Sequence, residues 1–126
     1  VVLLGRRAAA DRLPRRAPAW LRCLAANYPV LAPLPGWTGV DPRFRPAAVL
    51  PKAGALPIVI LRAGLESPEI AATVDDFLTA GADAGAALEV IEVPNGHHGF
   101  ENLDPGEESR HAVLRAIRTV LGRLRD

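Results

Sequence analysis

The 126-residue sequence predicts an α/β domain, an open and mainly parallel sheet flanked by helices. Three observations carry that expectation. Two apolar runs, 57–62 and 86–93, have the length and β-branched content of buried strands. Between them Ile70, Val74, Phe77 and Leu78 recur at helical spacing, which makes a strand, helix, strand crossover of the parallel kind. A second helix-patterned segment then closes the chain behind a loop with two adjacent histidines.

Taken in order, Val1-Val2-Leu3-Leu4 reads as a short buried strand, Gly5 as a turn, and 6–13 as a helical stretch stopped by Pro14. Residues 21–26 form another apolar run, followed by Asn27-Tyr28-Pro29 and a proline-rich segment reaching Pro51. With Pro33, Pro35, Pro42 and Pro46 in it, that segment is expected to be an irregular excursion, and a loop of such length often walls a pocket. After the strand at 57–62, Ser67 and Pro68 supply an N-cap and a first-turn proline. Gly81 and Gly85 are expected to end that helix. The next strand, 86–93, places Leu88, Val90 and Ala86 on one face. Asp104 and Pro105 are expected to cap a last helix with Val113, Ile117, Val120, Leu121 and Leu124 inward. Its acids come first and its arginines last, in agreement with the helix macrodipole.

The length suits one domain, 1–126. The net charge is +1, and Lys52 is the only lysine among many arginines. The densest basic stretch, Arg6 to Arg16, has no interleaved aromatics and no nucleic-acid motif, so it reads as a solvated helix face and no nucleic-acid partner is expected. Cys23 stands alone, which excludes an internal disulfide framework and a cysteine metal knuckle and makes a reducing cytoplasm the expected compartment. No leader pattern or membrane-length apolar run is present, and no membrane partner is expected. With no methionine and an apolar strand at its start, the chain is expected to be an incomplete domain cut from a longer protein.

The chemistry-bearing residues collect at strand ends. His98 follows the strand at 86–93 and precedes Gly99-Phe100, on a loop that lets its imidazole project over the sheet edge. Glu66 lies just beyond the strand at 57–62. Ligand chemistry in open α/β sheets gathers beyond the carboxyl ends of strands, so the two read as the acid and histidine of a hydrolytic triad. Glu69 is a second candidate acid, but an acid in a first helical turn has a sufficient reason to be there. Asp75 and Asp76 read as the polar face of the helix, and Arg62 either pairs with Glu66 or lines the pocket. His97 is expected to point to solvent and His111 to be structural or exposed.

These residues resemble the α/β-hydrolase superfamily, and within it the dienelactone hydrolase-like group. The run 56–65, its acid, the helix, the strand at 86–93 and Gly96 with His98-Gly99-Phe100 resemble that family's last two core strands. Residues 20–29 are similar to its strand after the nucleophile helix. The resemblance implies a partial α/β-hydrolase fold corresponding to the C-terminal half. It further implies hydrolysis of a small-molecule ester or lactone by acyl transfer, with no cofactor and no metal. His98 is then general base and acid, Glu66 its orienter, and Tyr28, Trp37 and Phe44 the expected substrate-binding wall. Family members usually carry aspartate where Glu66 stands.

One family element is missing. The nucleophile elbow G-x-S-x-G is replaced by Gly5-Arg6-Arg7-Ala8-Ala9, and arginine is no acyl acceptor. Ser67 is read as a cap, Ser109 lies in the last helix, and Cys23 reads as an inert thiol in an apolar run. The alternative expectation is therefore a non-catalytic remnant, or a subunit that associates with a missing N-terminal half. An exposed sheet edge would serve such association, or a homo-oligomer.

Overall fold

The computed structural model describes residues 20–125. The expected first strand, the turn at Gly5, the helix at 6–13 and the elbow slot lie outside the described residues. Within them the order is β1 (Leu24–Asn27), α1 (Pro46–Ala53), β2 (Ile58–Ala63), α2 (Pro68–Asp83), β3 (Leu88–Val93), α3 (Phe100–Leu103) and α4 (Glu107–Arg125). The strands form a parallel sheet in the order β1-β2-β3, with Leu24 opposite Ile58 and Ile58 opposite Leu88. The α/β class with a parallel sheet flanked by helices is thus observed.

β2 is central, and its run of Ile, Val, Ile and Leu has the continuous apolar character of a strand buried on both faces. Ile58 and Ile60 pack against Leu50 of α1 and Val74 and Phe77 of α2. Val59, Leu61 and Ala63 face the opposite way, onto Phe100, Ala112 and Ala116 of α3 and α4. Two cores therefore sandwich one strand, each buried Val, Leu, Ile or Phe side chain contributing roughly 1.5–3 kcal/mol when removed from water.

Several expectations are corrected. The proline-rich excursion contains a regular element, α1, because Pro46 sits in its first turn where no amide donor is needed. Pro51 lies inside it, yet burial of Leu50 at 3% exposure holds the helix onto the sheet. α2 runs through Gly81 instead of ending there. The glycine is a packing residue, since a Cβ would come within 2.2 Å of Leu88 Cδ1, and the turn falls at Gly85 with φ +64. Ser67 occupies the N-cap position of α2 but makes no side-chain cap bond. β1 begins three residues later than the apolar run suggested.

α4 also sits differently on the sheet. Its buried residues are Ser109, Ala112 and Ala116, small side chains that let the helix approach closely. Ile117, Leu121 and Leu124 are half-exposed along an open groove beside β1, not inward. The charge order holds, with Glu107 and Glu108 in the first turn and Arg123 and Arg125 in the last. No helix among the described residues is long and apolar enough to cross a membrane.

Candidate active site

Parallel strands align their carboxyl ends, so the loops after β1, β2 and β3 converge on one rim. Each carries a chemistry-bearing residue: Tyr28 after β1, Glu66 after β2 and His98 after β3. The ladder continues past the strands, with Gly64 N–H donating to Val93 O at 2.8 Å and Leu65 N–H to Gly96 O at 3.0 Å. Gly64 makes this approach possible, because a Cβ there would lie 2.2 Å from the Pro94 carbonyl oxygen. The acid loop and the histidine loop are thereby held side by side.

Glu66 and His98 meet. His98 Nδ1 lies 2.6 Å from Glu66 Oε2 across 32 residues of sequence, and the Glu66 side chain is only 7% exposed. The other oxygen, Oε1, accepts the Ser67 N–H at 3.0 Å, so both carboxylate oxygens are fixed. A ring nitrogen facing a carboxylate carries the proton, which leaves Nε2 as the basic nitrogen. Carboxylate, imidazole and an Nε2 with no partner among the described residues are the parts a general base needs.

Tyr28 adjoins the pair. It has φ +34, a value a non-glycine residue keeps only where its surroundings hold it, and its N–H is bonded to Leu61 O at 2.8 Å. Its ring centroid is 4.5 Å from that of His98 and meets Phe100 edge-on at 5.5 Å. The hydroxyl donates to Glu101 Oε1, and that bond pushes the phenol up to about 12. Glu101 was not evident in the sequence, because its role depends on β1 ending beside α3.

A cavity of about 570 Å³ opens beside His98, with Tyr28, Pro29, Phe44, Val49 and Phe77 on its wall. Its lining is almost wholly apolar, the usual character of a small-molecule pocket. Tyr28 and Phe44 are thus together on the wall, whereas Trp37 is half-exposed in the turn closed by its N–H to Leu34 O and is not part of it.

The neighbouring groups resolve as follows. Arg62 pairs with Asp75 at 2.6 Å and with Glu92 at 4.0 Å, not with Glu66, so Asp75 has a partner beyond solvent. His97 is exposed as expected but anchored: its N–H donates to Asp104 Oδ2 at 2.7 Å and its Nδ1 lies 3.0 Å from Asp104 Oδ1. Asp104 is therefore the partner of His97 and the C-cap of α3, and α4 starts only at Glu107. His111 is exposed beside Glu107 at 3.3 Å.

Among the described residues, no serine hydroxyl or thiol is hydrogen-bonded to His98. Ser109 Oγ donates to Asp104 O, and Cys23 Sγ lies 3.4 Å from Leu24 O. Burial pushes the Cys23 thiol up, against reactivity, with Arg123 opposing. No three His, Cys, Asp or Glu side chains among the described residues are grouped to hold a metal ion.

No family model and no curated protein matches the sequence. Among solved structures, the chain is similar to Thermogutta terrifontis esterase 2 phosphoramylated by tabun, with a TM-score of 0.62 at 21% identity. The match covers 80% of this chain and 41% of that one, so this chain spans less than half the length of the esterase it resembles. The likeness is one of fold.

Proposed function

We propose that this chain carries the acid–histidine portion of an α/β-hydrolase acting on carboxylic esters. The observation that carries the reading is the 2.6 Å contact of His98 Nδ1 with a Glu66 carboxylate that is almost wholly withdrawn from solvent. In the mechanism His98 Nε2 accepts the proton of a nucleophilic hydroxyl or thiol as that atom attacks the ester carbonyl carbon. The same nitrogen then protonates the leaving alkoxide, and in the second half it takes a proton from the attacking water and returns it to the nucleophile as the acyl bond breaks and the acid leaves. Glu66 holds the productive ring orientation throughout.

The finer reading, hydrolysis of a lactone of the dienelactone type, rests on the His98-Gly99-Phe100 loop and its upstream acid. Tyr28 and Phe44 form part of the proposed substrate wall, with Trp37 a more distant candidate. The nucleophile belongs to chain beyond this sequence, and the chain works in the cytoplasm on a small-molecule ester without nucleic acid or membrane.

The test is reaction of the full-length gene product with a fluorophosphonate probe, mapped by mass spectrometry. Labelling of one residue that disappears in His98→Ala supports the reading. Indiscriminate labelling that survives this substitution removes it. A second reading, a non-catalytic subunit completed by a partner, is favoured by the half-exposed Ile117, Leu121 and Leu124 beside β1, the outer strand among the described residues. That reading predicts no labelling and a chain that sediments as a complex.

A further inference from the structure

The adjacent pair, His97 with Asp104, is not absorbed by the ester chemistry, and the place of Asp104 as C-cap of α3 engages its backbone and not its carboxylate. Both Asp104 oxygens are engaged with one residue, Oδ2 with the His97 N–H at 2.7 Å and Oδ1 with its Nδ1 at 3.0 Å. Asp104 is itself tied down twice. Its N–H donates to the carbonyl of Phe100, a side chain with 0% exposure, at 3.0 Å. Its carbonyl accepts Ser109 Oγ at 2.8 Å, and Ser109 is buried at 5% exposure in α4.

From these contacts we infer that Asp104 is a positioning residue for His98, acting through the backbone of His97. Glu66 fixes the imidazole at Nδ1, and the Tyr28 ring lies against it at 4.5 Å. The aim of the ring also depends on where the chain stands between Gly96, whose carbonyl is held by Leu65, and Gly99, which opens α3. At that step the His97 N–H is held by a carboxylate anchored to the buried core through Phe100 and Ser109. A displacement of about 1 Å in a catalytic group can lower rates on the order of a hundredfold, so an anchor one residue from the base has leverage. The inference rests on the reading of His98 as the general base.

The test is NMR of the full isotope-labelled chain, following the downfield Nδ1 proton of His98, assigned by its absence in His98→Gln. Asp104→Ala should abolish that resonance or accelerate its solvent exchange at least tenfold, whereas Asp104→Glu should restore it to within about threefold of the parent. His97→Ala, which keeps the backbone N–H, should leave it in place. An unchanged resonance and exchange rate in Asp104→Ala would overturn the inference. If that variant does not fold, Asp104→Asn is read in its place: at least threefold faster exchange supports the proposal and no change overturns it. Ester turnover does not enter this measurement. Failure of the hydrolase reading would show as absent probe labelling with the exchange result intact, and failure of the positioning role as the reverse.

Discussion

Two histidine–carboxylate pairs stand one residue apart, and they differ in what they join. His98 and Glu66 connect the ends of two neighbouring strands, while His97 and Asp104, seven positions apart, close one segment on itself. The Glu66 side chain is 7% exposed against 27% for Asp104. Attraction between charges strengthens as water is removed, so the Glu66 contact is less screened by solvent and salt than that of Asp104. Glu66 also gives one oxygen to Ser67 N–H and one to the ring, whereas Asp104 gives both to His97. The same two functional groups thus join two strand ends in one place and close a loop in the other, and on the proposed reading the first serves proton transfer and the second anchors it.

The strongest way to break this contrast is to remove each ring in turn. His98→Ala should lower the probe-labelling rate of the full-length protein by at least about 10³-fold, and His97→Ala by no more than about tenfold. Equal losses would mean that the pairs are not functionally distinct. Next in size is Gly64→Ala, which sets a Cβ 2.2 Å from the Pro94 carbonyl oxygen and forces apart the loops that bring Glu66 to His98. A loss of about 1–3 kcal/mol in denaturant titration is expected. Gly106→Ala, beside the Asp104 loop with 4.0 Å to its nearest neighbour, should cost less than about 1 kcal/mol, as at an ordinary helix N-cap.

Tyr28 sharpens the contrast from the His98 side. It is the single tyrosine of the chain, so phenolate absorbance reports on it alone. The hydrogen bond to Glu101 holds the phenol up to about 12, and Glu101→Gln should return the midpoint toward the ordinary 10.0. Because the folded value is raised, the contribution to stability is fully present below pH 10.0 and is lost as pH rises through about 12. A parent midpoint near 10 would show that Glu101 does not hold the ring against His98.

The strands and the long-range acid–histidine pair were legible because each depended on a local signal. β2 is a continuous apolar run, and Glu66 and His98 fall just after runs of strand length. What was not legible depended on tertiary neighbours. Gly81 reads as a stop in sequence, yet Leu88 across the crossover makes it a close-packing residue inside α2. Asp104-Pro105 reads as a cap, but the bend at Gly99 turns the carboxylate back onto His97. Apolar periodicity alone placed Ile117 and Leu121 inward, although the small Ala112 and Ala116 are what let α4 approach the sheet.

The smallest effect concerns acid. The His97 N–H, followed by the His97 ring, holds the Asp104 carboxyl below its ordinary value of 3.8, and the Arg43 side chain and N–H hold Asp41 down to about 2. For a depressed carboxylate the sign is fixed: its contribution is present above the unfolded value and disappears as pH falls through the lower folded one. Asp41 is exposed and Asp104 half-buried but open to solvent, so the charge component is screened by salt while the directional bond to the backbone persists. Urea midpoints measured from about pH 5 to about pH 2 should therefore fall less steeply in Asp104→Ala than in the parent, and Asp41→Ala should show a similar flattening. Only Asp104→Ala should also raise amide exchange at Gly96 through Gly99, because Asp41 bonds Arg43 within the excursion. Equal exchange in the two variants would mean that both acids support the fold alike, and the second histidine pair would lose its link to the first.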